Sequence, residues 1–507
     1  MRMLAWLSAL VFGGAGAAMA AQEGTLADAA ERGNGALVRT LLDAGADVNA
    51  AQADGMTALH WAVYRDDAEA AALLVRAGAD VNAANAYGVP PLSLAATNGS
   101  TAIVTLLLDA GAHATATLRG GETVLMTAAR SGSLGAVRAL LAKGVDPNAR
   151  EEHEQTALMW AAAEGHAAVV AALLEAAADL HAQLKSGFTP IFFAAREGHI
   201  AVVRALLAAG ADVHAPLQGT KDESGAFVNN ASYRPIDEGV SLLLMAVRNG
   251  HFELAVDLVK AGADPNDQRT GFAPLHTMSW VRKPDKSDRG DPAPIGSGNL
   301  TSLEFVRELV KLGADVNLRL AEGAPRQPNS GSSLTSGGAT PFLLAADRGD
   351  VALMRLLLEL GADPFIPNLD HSTALMAATG LGTTSPEEEG GTEAEAFIAT
   401  ELLLDLGADI NAVNVEGDTA MHGAASGSFP TVVQLLADRG ADIQIWAQKN
   451  RDGRTPLFIA EGYRGGATRR SPPTIEALVK LMDSAGVSTD GERPRMIDIY
   501  ARPGAPL

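Results

Sequence analysis

Pairs of short hydrophobic runs at helical spacing recur along most of the chain. In residues 189–210, a first run begins at Pro190 and stops before Gly198, and a second places Val202 and Leu206 one helical turn apart. Apolar residues three or four positions apart share one face of a helix. Proline is favoured at the first position of a helix and glycine just beyond its last. Each such stretch therefore predicts two short helices joined by a tight turn.

Two short phrases recur in register with these runs. The first reads Thr-Ala-Leu-His-Trp-Ala, and variants of it begin at positions 57, 90, 123, 156 and 189. Each step is 33 residues, and the second phrase, Gly-Ala-Asp-Val-Asn, begins 21 residues after the first in each regular repeat. Later copies of the first phrase begin at Ser241, Ala273, Thr340, Thr373, Thr419 and Thr455. With an N-terminal repeat near residues 25–50 that lacks the first phrase, the sequence predicts twelve repeats.

A 33-residue period with a Thr-Pro-Leu-His-x-Ala phrase resembles the ankyrin repeat. The resemblance covers most of the chain. It implies an all-α fold, an ankyrin-type helical repeat solenoid of about twelve helix-turn-helix units with short finger loops and several loop insertions. One helix pair cannot bury its apolar face alone, so stacked neighbours must build the core.

Irregular distances between successive phrases locate insertions in loops. We expect finger insertions to project near a binding groove and inter-helix insertions to lie at the opposite edge; a special function and ordinary loop variation both account for them. The sequence predicts a signal peptide at 1–20; regular repeats at 21–215, with an N-terminal capping repeat and five full repeats; a finger insertion at 216–240; two repeats at 241–317 with an inter-helix insertion at 283–299; a flexible finger insertion at 318–338; four repeats at 339–486 with inter-helix insertions at 380–395 and 462–472; and a C-terminal tail at 487–507.

The first twenty residues have the pattern of a cleavable signal peptide. Arg2 is followed by an apolar stretch from Leu4 to Phe12, and Ala18-Met19-Ala20 fits a small-x-small cleavage site. An uncleaved membrane anchor is the alternative. The chain has no cysteine, which excludes disulfides and thiolate metal sites. We therefore expect a periplasmic or secreted protein. The composition, rich in alanine and glycine, and the short signal suggest a bacterial source.

The charge balance bears on the class of partner. A net charge of −21 argues against nucleic acid, whose phosphates need clustered Lys and Arg. The acidity fits either a solvated, self-repelling surface or a basic partner surface. We expect a protein partner of unspecified identity, no nucleic acid, no membrane span after signal cleavage, and a monomer.

The titratable residues fit repeat positions better than an active site. Asp285, Asp288 and Asp291 could hold a calcium ion, but their spacing does not match an EF-hand, and a solvated loop is the alternative. None of the common nucleophile, phosphate-loop or zinc-protease motifs occurs. We expect no catalytic residue, no metal site and no cofactor. Six histidines fall at two repeated positions, His60, His276 and His422 in the first phrase and His166, His199 and His251 after the turn glycine.

The resemblance also implies where a partner binds, along a groove lined by the finger tips and the exposed end of each first helix. Aromatic residues and arginines are enriched at binding hot spots, although scattered surface aromatics are also ordinary. Trp61 and Trp160 are predicted to pack between repeats instead. Carried over by repeat position, the predicted groove residues are Met56, Tyr64, Arg65, Tyr87, Arg119, Glu122, Arg130, His153, Glu164, Lys185, Phe188, Arg196, Glu197, Arg248, Asn249 and Phe272.

Three functions follow from this reading. The leading one is a protein-binding scaffold or adaptor that acts outside the cytoplasm without catalysis. The second is a secreted effector that binds a host protein through the same surface. The third, more remote, is an enzyme whose site is built by the insertions within residues 277–338.

Overall fold

Paired helices follow one another along the chain, as the hydrophobic pattern predicts. The computed structural model describes residues 24–218, 239–284, 286, 292–325, 332–384, 391–463 and 470–493. Across these ranges it contains 25 helices, no strand and three isolated β-bridges. All helices except one of four residues form twelve pairs, numbered here as repeats 1 to 12. The predicted all-α helical repeat architecture is confirmed.

The helices divide into two compact units, α1 to α12 in the first and α13 to α25 in the second. The first unit contains α1 (Leu26–Glu31), α2 (Gly35–Asp43), α3 (Ala58–Tyr64), α4 (Ala68–Arg76), α5 (Pro91–Thr97), α6 (Thr101–Asp109), α7 (Val124–Arg130), α8 (Leu134–Ala142), α9 (Ala157–Ala163), α10 (Ala167–Glu175), α11 (Pro190–Glu197) and α12 (Ile200–Ala208).

The second unit has the same alternation, with one additional short helix, α23. It contains α13 (Leu242–Arg248), α14 (Phe252–Lys260), α15 (Pro274–Arg282), α16 (Ser302–Lys311), α17 (Pro341–Asp347), α18 (Val351–Glu359), α19 (Ala374–Ala378), α20 (Glu393–Asp405), α21 (Ala420–Gly427), α22 (Pro430–Asp438), α23 (Ile443–Trp446), α24 (Pro456–Ala460) and α25 (Pro472–Ser484).

The first phrase encodes the start of each first helix. In repeat 2, Thr57 is the N-cap residue of α3, and its backbone N–H donates to Nδ1 of His60 at 3.2 Å. The other ring nitrogen, Nε2, lies 3.1 Å from the carbonyl oxygen of Val89 in the next finger. The threonine and histidine therefore satisfy helix-start groups and also connect neighbouring repeats.

Where the second phrase ends in asparagine, that residue joins its repeat to the next. The side-chain Nδ2 of Asn82 donates to the carbonyl oxygen of Gly111 at 3.1 Å, and its Oδ1 accepts from the backbone N–H of His113 at 2.8 Å. Asn148 makes the same pair of bonds to Ala177 and Asp179. An amide can donate and accept at once, which explains why asparagine recurs at this position.

Several second helices carry adjacent leucines of unequal burial, and repeat 6 offers a matched pair. Leu206 is fully buried on α12, whereas its neighbour Leu207 is half-buried. We expect Leu206→Ala to lower the free energy of unfolding of the first unit by about 3 kcal/mol, because it leaves a cavity in the core. Leu207→Ala should cost about a third as much in urea-unfolding experiments. Equal losses would contradict this packing.

The helix bounds place the inter-helix insertions within the chain. Residues 283–299 fall between α15 and α16, and 462–472 end where α25 begins at Pro472. The insertion predicted at 380–395 is shorter, because α20 begins at Glu393 and Thr392 caps it in a capping box with Glu395.

Several predicted segments lie outside the described residues. These are the signal peptide at 1–20, most of the finger insertion at 216–240, the three aspartates at 285, 288 and 291, and the end of the C-terminal tail. Among the helices that the structure describes, none has both the length and the continuous apolar character needed to cross a membrane.

Candidate partner-binding surface

The inner face of the first unit is the surface formed by the exposed sides of α3, α5, α7, α9 and α11 with the fingers that precede them. Within each repeat, the residues seven and eight positions after the phrase threonine lie at the end of the first helix. In repeat 2 these are Tyr64, which is 60% exposed, and Arg65, which is also exposed. The equivalent Arg196 and Glu197 of repeat 6 are exposed as well.

Most of the residues predicted to line the groove lie at the surface. The exposed ones are Tyr64, Arg65, Tyr87, Arg119, His153, Glu164, Lys185, Arg196 and Glu197. The half-buried ones are Glu122, Arg130, Phe188, Arg248 and Asn249. Arg248, Asn249 and Phe272 belong to the second unit and the remainder to the first.

Two of the predicted groove residues are buried, and for these the prediction is wrong. Met56 is 8% exposed and Phe272 is 1% exposed. Each directly precedes the residue that caps its first helix, at the base of the finger, where the chain turns inward. The ring of Phe272 packs edge-on against Trp280 at 4.8 Å between centroids, and the Sδ atom of Met56 accepts from Nδ2 of Asn85 at 3.5 Å.

Aromatic rings and arginines pair on the inner face of repeats 4 to 6. The guanidinium of Arg196 lies 5.3 Å from the ring centroids of both Phe188 and Phe193. That of Arg130 lies 5.1 Å from the ring of Trp160. Such cation–π contacts hold both groups in place and leave part of each available to a ligand.

A pocket of about 320 Å³ opens between α9 and α11. Met159, Trp160 and Phe193 contribute apolar surface to it, and Glu164 and Arg196 contribute charge. Its lining consists of Gln155, Met159, Trp160, Ala163, Glu164, Phe193, Arg196 and Glu197. The pocket thus combines apolar rings with charged and amide groups, so it can accept an amphipathic side chain.

The indole N–H of Trp160 is a buried donor without an acceptor among the described residues. In repeat 2 the equivalent Trp61 donates to Oε1 of Gln52 at 2.6 Å. The residue at that finger position in repeat 5 is Glu151, whose carboxylate accepts instead from the backbone N–H groups of His153 and Gln155. A buried donor left unpaired favours a ligand that supplies an oxygen.

Trp61 and Trp160, which the sequence predicts to pack between repeats, lie partly at the surface. Both are half-buried, and the ring of Trp61 lies 5.7 Å from that of the exposed Tyr64. Their position, four residues after the phrase threonine, was visible in the sequence. Its exposure was not, because the same position is buried at Thr127 and Phe193.

The surroundings of two other predicted residues shift their pKa values. Nδ1 of His153 lies 2.9 Å from Oε2 of Glu151, and the hydrogen bond to this carboxylate raises the pKa of His153. Burial lowers the pKa of Arg248, in the second unit, to about 10. Arg248 is therefore a largely desolvated side chain and less suited to partner contact than the exposed arginines of the first unit.

Family models for ankyrin repeats match more than half of the chain. A model described as "Ankyrin repeats (3 copies)" matches residues 26–118, 78–151, 94–184, 125–216 and 394–482, and one described as "Ankyrin repeat" matches 238–271 and 337–369. The chain belongs to the ankyrin repeat family. Ankyrin repeats indicate a protein–protein interaction scaffold, and members of the family are generally non-catalytic.

Curated relatives of this ankyrin repeat protein combine the repeats with other regions. Ankyrin repeat and SOCS box protein 16 of Mus musculus is 34% identical over 237 residues, which cover 43% of this chain and 46% of that protein. Ankyrin repeat and KH domain-containing protein mask-1 of Caenorhabditis elegans is 33% identical over 179 residues, covering 32% and 7%. E3 ubiquitin-protein ligase KEG of Arabidopsis thaliana is 27% identical over 243 residues, covering 43% and 14%. The chain spans less than half of each of these relatives.

Two of the histidines that follow a turn glycine bond to backbone carbonyls. Nε2 of His166 lies 2.9 Å from the carbonyl oxygen of Arg130, and Nε2 of His199 lies 2.8 Å from that of Ala163. Each ring thereby joins a second helix to the first helix of the preceding repeat. Across the residues that the structure describes, no three His, Asp or Glu side chains are grouped to hold a metal ion.

Proposed function

We propose that this ankyrin repeat protein is a scaffold that holds a protein partner on the inner face of its first unit, outside the cytoplasm. The observation that carries the proposal is the pocket at Trp160, where a buried indole N–H faces no acceptor from the described chain. Cation–π pairs flank the pocket, and Tyr64 and Tyr87 extend the aromatic surface toward repeats 2 and 3.

Physical chemistry favours a protein segment as the ligand of this face. Tryptophan, tyrosine and arginine dominate the binding energy of protein interfaces because they bury large areas with few rotatable bonds. A segment that places a side chain over Trp160 and Phe193 can also accept the indole N–H through a backbone carbonyl. A typical interface of about 800 Å² per partner can be accommodated by several adjacent repeats.

Action outside the cytoplasm is supported by the signal-peptide pattern of residues 1–20 and by the absence of cysteine from the sequence. Cell fractionation tests this part of the proposal. We expect the protein in the periplasm, with a mass that corresponds to a chain starting near Ala21. Recovery from the culture medium would favour the secreted effector instead, and recovery in the cytoplasm at full mass would contradict export.

Partner capture tests the binding face. A photo-crosslinking amino acid at position 87, which is 78% exposed in the wild type, should capture a protein partner in intact cells. We expect the triple variant Tyr64→Ala, Arg196→Ala and Trp160→Ala to weaken binding of that partner at least about 100-fold, since each hot-spot loss is worth about 2 kcal/mol.

A matched control removes exposed apolar groups away from the inner face. Ile398 and Leu406 are exposed at α20 and its C-cap, in the second unit. The variant Ile398→Ala with Leu406→Ala should retain wild-type affinity. If the triple variant keeps its circular dichroism spectrum and still binds the partner normally, the inner face of the first unit is not the binding surface.

A further inference from the structure

The finger before repeat 9 closes like an ordinary finger despite its insertion. In repeat 2 the backbone N–H of Gln52 donates to the carbonyl oxygen of Met56 at 2.9 Å. In repeat 9 the same bond joins Leu320 to Ala339 at 3.0 Å. The extra residues are therefore inserted at the tip of the finger, and the base of the finger is unchanged.

The last residues of this insertion run along the first helices of repeats 9 and 10. Near the finger, the carbonyl oxygen of Thr335 accepts from Nδ2 of Asn368 at 2.9 Å. Beyond the far end of α19, the backbone N–H of Ser333 donates to the carbonyl oxygen of Gly382 at 2.7 Å. At the end of α17, Oγ of Ser332 donates to Oδ1 of Asp347 at 3.0 Å. Residues 332–338 thus span from the finger to the opposite end of both helices.

This segment has the burial pattern of a bound extended peptide. Ser332, Leu334 and Ser336 are buried, whereas Ser333 and Thr335 between them are exposed. Alternation with a period of two is the signature of an extended strand with one face covered. An isolated antiparallel β-bridge between Ser332 and Thr383 adds backbone pairing.

The segment covers those positions of repeats 9 and 10 whose equivalents are exposed on the inner face of the first unit. Eight residues after the phrase threonine, Arg65 and Glu164 are exposed in repeats 2 and 5. The equivalent Leu381 of repeat 10 is buried, and a side-chain carbon on the adjacent Gly382 would come within 2.7 Å of the backbone nitrogen of Leu334. The inner face of repeats 9 and 10 is therefore already occupied.

We propose that the inner face of repeats 9 and 10 is a second peptide-binding surface, and that residues 332–338 are its built-in ligand. The surface accepts an extended, hydroxyl-rich segment that inserts one leucine and pairs its backbone with residues 382–383. Recognition of this kind combines backbone hydrogen bonds with pockets for alternate side chains. Because the built-in ligand is tethered, its effective concentration is in the millimolar range, so it excludes segments of the same kind from other chains.

A deletion opens the surface for direct test. Removing residues 322–336 joins Ala321 to Gly337 and restores the 12-residue spacing from the second phrase to the next threonine that Gly45 and Thr57 have. The probe is a fluorescein-labelled peptide with the sequence of residues 329–338, followed by fluorescence anisotropy. We expect the deleted chain to bind this peptide at least tenfold more tightly than the full chain does. The same peptide with Leu334→Asp should lose at least tenfold in affinity, because a carboxylate would be buried.

A second variant guards against misfolding of the deleted chain. Leu334→Asp in the full chain keeps the length of the loop and weakens only the contact of the built-in ligand with its surface. We expect this variant to bind the unmodified peptide more tightly than the wild type does. The proposal is overturned if the deleted chain, with native circular dichroism, binds no peptide at millimolar concentration. It is equally overturned if Leu334→Asp gains no binding, or if the wild-type chain binds as tightly as the variants. None of these results depends on the inner face of the first unit.

Discussion

Replacing Asp350 by alanine should lower the free energy of unfolding of the second unit by about 3–5 kcal/mol. Asp350 is 1% exposed and forms two bonds to Arg282, from Nε at 2.7 Å and from Nη2 at 3.1 Å. Its Oδ1 also accepts from the backbone N–H of Leu353 at the start of α18. The variant therefore leaves a largely buried guanidinium without its counterion and a helix without its cap.

Asp67 provides a matched control at the same repeat position. It caps α4 by accepting from the backbone N–H of Ala70 at 2.9 Å, and it is half-buried. Asp67→Ala should cost about 1 kcal/mol, the usual value for loss of a cap. Hydrogen exchange measured by mass spectrometry can read each unit separately. A loss at Asp350 no larger than that at Asp67 would show that the ion pair with Arg282 does not stabilise the second unit.

The sequence contained what was needed to predict the repeats and their ends. Thr57, His60 and Asn82 recur at fixed spacing because each satisfies backbone groups that every repeat presents again. Gly198 has a φ of 78°, a left-handed conformation that favours glycine, so it marks a helix end in the sequence as well. These backbone groups are the same in every repeat, so the residues that satisfy them do not depend on which side chains the neighbouring repeat carries.

The inner face was harder to predict because exposure depends on neighbouring repeats. Phe188 and Phe272 hold the same repeat position, yet the first is half-buried and the second is buried. Trp160 differs from Trp61 in hydrogen bonding because Gln52 is replaced by Glu151 at the same finger position three repeats later. Repeat position therefore predicts where the backbone of a groove residue lies. It does not predict which side chains pack against that residue or bond to it.

Contacts between two insertions could not be predicted from repeat positions either. The insertions around 318–338 and 380–395 were expected near the groove and at the opposite edge, respectively. In the structure, Ser333 from the first bonds to Gly382 in the second, because an extended segment of a few residues is long enough to cross a short helix. The spacing of the phrases shows in which loop an insertion lies. It does not show along which helices the inserted residues run.

Acid should destabilise the second unit strongly between pH 6.5 and pH 4. His276 and His422 are fully buried, and burial lowers the pKa of each from 6.5 to about 4. Both rings stay neutral in the fold until the pH approaches 4, whereas the unfolded chain takes up protons as the pH falls through 6.5. Stability is thus fully present above pH 6.5 and declines as the pH approaches 4, with a loss on the order of 3 kcal/mol for each histidine.

Glutamine variants isolate this effect from the titration of carboxylates. His276→Gln with His422→Gln removes both titrating rings, so the fall in urea-unfolding midpoint from pH 7 to pH 5 should be much smaller than in the wild type. The exposed His371, in the same unit and at a positive φ of 64° that asparagine tolerates, gives the control His371→Asn, which should follow the wild-type pH dependence. An unchanged pH dependence in the double variant would mean that carboxylates, and not the two phrase histidines, make the unit sensitive to acid. In that case His276 and His422 would supply helix capping and bonds between repeats at neutral pH, and their burial would not lower the free energy of unfolding in acid.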